Sequence, residues 1–417
     1  MTRIRVLIMA SAVAILAIAG LALAGVGAAG SLSTLEELGK ALFFDTQLST
    51  PPGQSCATCH APEVGYTGPD SAINAGPAVY PGAVHTRAGN RKPPAAAYGG
   101  ESPIFYFDEV EGLWIGGMFW DGRATGWTLG DPLAEQAQGP FLNPLEQNMP
   151  SAKQVCLKVR KLDYAGLFAK VWGEPPDCSS AGIALTYERI ARAIAAYERS
   201  AEVNPFSSKF DAFWDQATTA GLDVTAINMM NWGDYTGLEL TDDEVLGLAL
   251  FNDEGKGKCS LCHLLTPGEG DRPVFTDFTY DNLGVPKNPD NPFYDMPRKW
   301  NPDGKAWIDP GLGGFLKSAG YDAEVYEPEL GKHKVPTLRN VDLRPSPEFV
   351  KAFGHNGYFK SLLEITEFYN TRDVAMWPAP EYAATVNTDE LGDLGLTDTE
   401  EELIVLFMTT LSDGYQP

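Results

Sequence analysis

Basic residues are scarce in this sequence. It has 31 lysines and arginines against 55 aspartates and glutamates, a formal net charge of -24. That imbalance excludes nucleic acid as a partner and disfavours anionic membrane surfaces. It suits a basic protein partner, and equally a surface kept soluble by its acidity. Long apolar runs are missing after residue 30, so no later stretch is apolar enough to span a bilayer. Strand signals are few, which excludes a sheet-built chain and leaves a mainly α fold with long loops. Histidine is rare as well: only His60, His85, His263, His333 and His355 occur.

The N-terminus carries Arg3 and Arg5, then an apolar run over residues 6–29. Small residues close it, with Ala22-Leu23-Ala24 and Ala28-Ala29-Gly30 as candidate cleavage sites. Residues 1–30 read as an export signal, and the run is long enough to serve as an uncleaved anchor instead.

Six cysteines are present. Four fall in Cys56-Ala57-Thr58-Cys59-His60 and in Cys259-Ser260-Leu261-Cys262-His263. Two thiols three residues apart can each add to a vinyl group of one haem, and the adjacent histidine then reaches the iron. A zinc site built from two cysteine pairs and a redox dithiol are the rival readings. Neither needs a histidine next to the second cysteine, so the repeated pattern points to a di-haem c-type cytochrome. Export agrees with it, because bacteria attach c-type haem outside the cytoplasm. The spare pair, Cys156 and Cys178, is expected as a disulfide contributing about 3 kcal/mol by restricting the unfolded chain.

Each pentapeptide follows a helix of shared design. Ser33-x-x-Glu36 and Thr241-x-x-Glu244 are capping boxes. Leu38-Gly39-Lys40-Ala41-Leu42-Phe43 then matches Leu246-Gly247-Leu248-Ala249-Leu250-Phe251 at five of six positions. Two c-type cytochrome domains are expected, 31–239 and 240–417. Further helices are expected from Ile183 to Tyr197, after Ser361, and from Thr397 through Leu411. The stretches 61–118, 120–149 and 204–240 read as irregular, and 266–331 as an insertion rich in Pro, Gly and Asp.

The motifs resemble those of the bacterial di-haem cytochrome c peroxidases, including their MauG-like branch. The resemblance rests on residues 38–45, both haem motifs, Phe119-Trp120-Asp121-Gly122-Arg123-Ala124 and Gln136-Ala137-Gln138-Gly139-Pro140. Asn143-Pro144-Leu145-Glu146, Lys334-Val335-Pro336-Thr337-Leu338-Arg339-Asn340 and His355-Asn356-Gly357 complete it. It implies a peroxide-reactive haem on His60 and an electron-relaying haem on His263. Glu146 falls on the distal acid–base position, Gln136 and Pro140 on distal-pocket positions, and Trp120 between the haems.

Tyr369 lies fourteen residues after His355, where family peroxidases have methionine and MauG-like enzymes tyrosine. The resemblance also implies His85 as a removable distal ligand and a calcium ion held through Asn90. Three departures stand out: Gln147-Asn148-Met149 after Glu146, six additional residues at 125–130, and no Thr-x-Pro in 350–353. The expected function is a periplasmic peroxidase that reduces hydrogen peroxide with electrons from a cytochrome c or copper protein. The alternatives are a MauG-like enzyme that oxidises residues of a partner protein through a shared high-valent iron state, and a cytochrome that only transfers electrons.

Overall fold

Eight of the twelve α-helices among the described residues start at a side chain that accepts from free N–H groups of the first turn. At Ser33 the hydroxyl accepts from the Glu36 N–H while the Glu36 carboxylate accepts from the Ser33 N–H, and Thr241 and Glu244 repeat that pairing. The computed structural model describes residues 31–268 and 270–417, so the expected export signal lies outside the described residues.

The helices are α1 (Thr34–Phe43), α2 (Ser71–Ala75), α3 (Pro132–Leu142), α4 (Ala152–Val159), α5 (Ala165–Trp172) and α6 (Ile183–Glu198) in the first half. The second half adds α7 (Lys209–Thr219), α8 (Asp242–Asn252), α9 (Gly311–Ser318), α10 (Ala323–Tyr326), α11 (Leu362–Thr371) and α12 (Asp398–Thr409). Strands are few and short. β1 (Tyr106–Asp108) pairs antiparallel with β2 (Leu113–Ile115), Tyr106 opposite Ile115. β3 (Tyr280–Asp281) pairs with β4 (His333–Lys334), Tyr280 opposite Lys334. The fold is mainly α, as expected.

The repeat seen in the sequence is a repeat in space. Helix α1 crosses α6, and α8 crosses α12, each pair sealing one apolar core. Leu38, Leu42 and Phe43 meet Ile190, Ile194 and Tyr197 in the first core. Val245, Leu248 and Phe251 meet Phe210, Phe275, Ile404 and Phe407 in the second. A fully buried side chain of this size contributes roughly 1.5–3 kcal/mol. Inside the second core the Arg339 guanidinium grips Asp211 at 2.8 Å, with both side chains almost wholly buried. Cys156 and Cys178 form the expected disulfide, with Cα atoms 5.7 Å apart.

All three stretches read as irregular contain regular elements, and 61–118 holds α2 and the β1–β2 hairpin. In 120–149, α3 starts at Asp131, whose carboxylate accepts from the Leu133 and Ala134 N–H groups, with Pro132 at the first position. Gly139 and Pro140 inside it hide its periodicity. In 204–240, α7 opens on a capping box of Ser208 and Asp211, a signal the polar composition obscured. The insertion carries α9 and α10, whose apolar residues join Phe105, Trp114 and Tyr280 in a small separate cluster.

Candidate haem sites and the residues between them

Both pentapeptides fold as a tight turn. The His60 N–H donates to the Cys56 carbonyl at 3.0 Å and the His263 N–H to Cys259 at 2.9 Å. Each ring then finds an acceptor for its Nδ1–H: Tyr66 O at 3.2 Å for His60 and Phe275 O at 2.8 Å for His263. Tyr66 and Phe275 both adopt positive φ, 57° and 54°, which aims those carbonyls at the rings. A ring that donates from Nδ1 presents Nε2 as the ligand, the arrangement second-shell carbonyls impose at metal sites. Burial depresses both imidazoles to about 4, so they are neutral and ready to ligate.

The four motif cysteines are free and unpaired with one another. Burial pushes the Cys59 and Cys259 thiols up to about 12, and Cys56 and Cys262 upward as well. Such thiols make slow redox nucleophiles, because that role needs the thiolate. A thioether carries no charge and suits this burial.

A large cavity adjoins Cys259, Cys262 and His263. Leu362, Ile365 and Tyr369, one face of α11, form part of its apolar wall, and Met408 of α12 also reaches it. Burial raises the Tyr369 phenol far above its ordinary value. Met376, the methionine nearest in sequence after Tyr369, is fully exposed. Polar side chains also line it, among them Lys92, Lys334, His333 and His355. Apolar walls, lysine side chains, two thiols and a neutral imidazole fit a covalently attached haem and its carboxylates.

Trp120 lines the same cavity and is pinned there. Its Nε1–H donates to the Lys92 carbonyl at 2.8 Å, and its own carbonyl accepts from the Lys334 N–H at 2.9 Å. The neighbouring Asp121 binds Arg91 at 2.6 Å and Arg123 at 2.8 Å.

Glu146 sits in the loop after α3. The Asn143 amide donates to its Oε1 at 2.8 Å, and the Ala83 N–H to its carbonyl at 2.8 Å. Burial raises its carboxyl, opposed by the Arg123 guanidinium and the Asn143 amide. Its charge also raises the Cys56 and Cys59 thiols, which places it near the N-terminal attachment turn. Gln136 and Pro140 lie one turn apart on α3, and the Pro140 carbonyl accepts from the Gln147 N–H at 3.2 Å. The inserted Gln147-Asn148 is thereby folded back against α3, and the Met149 N–H donates to the Phe141 carbonyl at 2.7 Å.

The two remaining expected ligands are His85 and Asn90. His85 is exposed in a tight loop closed by the Gly82 N–H on the Arg87 carbonyl at 2.8 Å, and so faces solvent in this conformation. Asn90 is half-buried, and its backbone carbonyl accepts from the Asn291 amide at 2.9 Å.

Sequence reasoning missed the cluster that joins these parts. Arg91 links Asp121 to Asp309, with both contacts at 2.6 Å. His333 lies 3.4 Å from Asp309, its ring stacked 3.6 Å from that of His355, and His355 meets Glu381 at 3.2 Å. Asp309 comes from the insertion, and no local pattern marks it.

Two half-buried attachment turns, each with a neutral histidine donating from Nδ1, define a c-type cytochrome class with two haems. Residues 33–219 match the family described as di-haem cytochrome c peroxidase. The chain is 32% identical to the methylamine utilization protein MauG of Paracoccus denitrificans, over 92% of this chain and 90% of that protein. It is 26% identical to the cytochrome-c peroxidase IdrP1 of Denitromonas iodatirespirans, over 90% and 80% of the two chains. The solved di-haem peroxidase BthA of Burkholderia thailandensis superposes with a TM-score of 0.72 at 31% identity, covering 91% of this chain and 86% of that one. This chain belongs to the di-haem cytochrome c peroxidase family, in its MauG-like branch, and is an oxidoreductase with two haem c groups.

Proposed function

We propose that the protein is an exported di-haem peroxidase that reduces hydrogen peroxide at the haem carried by His60, using electrons from a small redox protein. The observation that supports it best is Glu146, a half-buried carboxylate held by Asn143 beside the N-terminal attachment turn. When bound there, haem iron supplies the two-electron cleavage of the O–O bond.

The chain's own residues manage protons and positions. Glu146 takes a proton from the inner peroxide oxygen and returns it to the outer one, which leaves as water. Two electrons and two further protons complete the second water. Asn143 orients the carboxylate, and Gln136 and Pro140 wall the distal pocket. Trp120, fixed by Lys92 and Lys334, passes electrons between the sites.

Tyr369 favours a second reading. A phenolate ligand lowers a haem potential where a methionine raises it, so His263 paired with Tyr369 would suit sharing of oxidising equivalents. Those equivalents would then oxidise residues of a partner protein. Calcium held through Asn90 belongs to the same proposal; a haem spectrum altered by EGTA and restored by calcium supports it, and an unaltered one removes it. Export is supported by residues 1–30, and mass spectrometry of the mature N-terminus tests it. Among the described residues no helix is long and apolar enough to cross a membrane.

The deciding experiment is steady-state turnover of hydrogen peroxide with a reduced small-molecule dye and with a reduced cytochrome c. Turnover with both is expected. Absence of turnover with either donor, while peroxide still oxidises the protein, would transfer the assignment to the partner-oxidising reading.

A further inference from the structure

The β1–β2 hairpin leaves an aromatic face uncovered. Trp127 is 52% exposed, Tyr106 and Phe107 are 44% exposed each, and Val110 at the tip is 90% exposed. Exposed Glu109 and Glu111 flank Val110, and no lysine or arginine occurs between Lys92 and Arg123. An apolar centre with an acidic rim is the anatomy of a protein contact and complements a basic partner.

Beneath that face the aromatic rings form a continuous path inward. Phe107 lies 5.2 Å from Trp114, which stacks on Phe105 at 4.9 Å with planes 7° apart. Phe105 in turn lies 5.8 Å from Trp127 and 5.9 Å from Tyr280. Tyr280 pairs with Lys334, the residue whose N–H donates to the Trp120 carbonyl. A methyl group at Gly122, two residues from Trp120, would meet the Tyr280 hydroxyl at 2.5 Å. The exposed face is thus joined to Trp120 through Phe105, Tyr280 and the Lys334 backbone.

We propose that this hairpin is the docking site for a small, basic electron-transfer protein with a lysine-ringed apolar face, and that Trp114 relays its electrons to Trp120. The inference rests on the peroxidase reading and names the entry point of its donor. One electron leaves the donor's metal centre and fills the vacancy left on Trp120 after peroxide is reduced. The donor is oxidised by one electron and the indole restored, and two such transfers serve each peroxide. No bond forms or breaks. No proton has to move, because the Trp120 N–H stays donated to the Lys92 carbonyl. Tyr280 is a poor stopping point, since its hydroxyl donates to the Gly116 carbonyl, which cannot accept its proton.

The test uses the holoprotein and a lysine-rich monohaem cytochrome c as probe. Carbodiimide cross-linking should join probe lysines to Glu109 or Glu111. The double variant Glu109→Lys, Glu111→Lys should weaken binding at low salt by about tenfold or more and flatten its salt dependence. Trp114→Phe should leave the Kd unchanged and slow electron delivery at saturating probe by about tenfold or more. Cross-links confined to another face, or a Kd indifferent to charge reversal, would overturn the docking site. An unchanged rate in Trp114→Phe would overturn the relay. Peroxide turnover by the wild-type protein with a small dye separates the two levels. Failure there removes the peroxidase reading, whereas success beside an insensitive hairpin removes this inference alone.

Discussion

Gly39 rests directly on the backbone of Ala193: a methyl group at Gly39 would lie 1.9 Å from the Ala193 carbonyl oxygen. Gly247 meets Leu403 in the same way, at 2.0 Å. Both glycines stand at the second position of the repeated Leu-Gly-x-Ala-Leu-Phe, so each helix crossing depends on one missing side chain. Backbone cannot swing aside as a side chain can. Gly39→Ala and Gly247→Ala should therefore each destabilise the protein by about 1–3 kcal/mol. Urea denaturation of the purified holoprotein measures it, and unchanged midpoints would show that the helices separate at little cost.

Glu146→Gln should slow the reaction with peroxide by about a hundredfold or more while both haems stay attached. The pH dependence carries the sign. Burial raises the Glu146 carboxyl, and the group acts first as a base, so the wild-type rate falls as pH drops through that raised value. The glutamine variant should lose this dependence. Stopped-flow rates across pH check both statements, and a variant as fast as wild type would remove Glu146 from the chemistry.

Tyr369→Met should raise the potential of the haem on His263, because a thioether favours the reduced iron and a phenolate the oxidised. Spectroelectrochemistry reads the shift. Potential and spectrum both unchanged would remove Tyr369 as the ligand.

His85 stands exposed on its loop, so the ferric wild-type protein should show a high-spin N-terminal haem that His85→Ala leaves unaltered. A low-spin signal that becomes high-spin in the variant would instead mean that the loop turns inward and histidine ligates. Electron paramagnetic resonance distinguishes the outcomes.

The attachment turns, the two capping boxes and α6 were legible because their signals are local. Periodicity and hydrogen bonds within four residues decide them. Helix α3 was not, since Gly139 and Pro140 interrupt its pattern, and its start is held by Asp131 and Pro132. Helix α7 hid in polar sequence, although Ser208 and Asp211 spell its cap. Glu146 and Tyr369 could be named only from their distance to neighbouring motifs, which says nothing of what they face.

The sequence by itself determined the covalent chemistry. Two thiols three residues apart with a following histidine can hold haem wherever the turn forms, and the doubled helix design dictates two such sites. Only the tertiary structure decided how the sites are joined. Arg91 reaches Asp121 from 30 positions away and Asp309 from 218, and His333 stacks on His355 after the insertion folds back. Phe105 and Trp114 meet Tyr280 in the same way, from opposite halves of the chain. Such contacts are selected by how whole elements pack and which charges they bury together, and no pattern within a single segment encodes that choice.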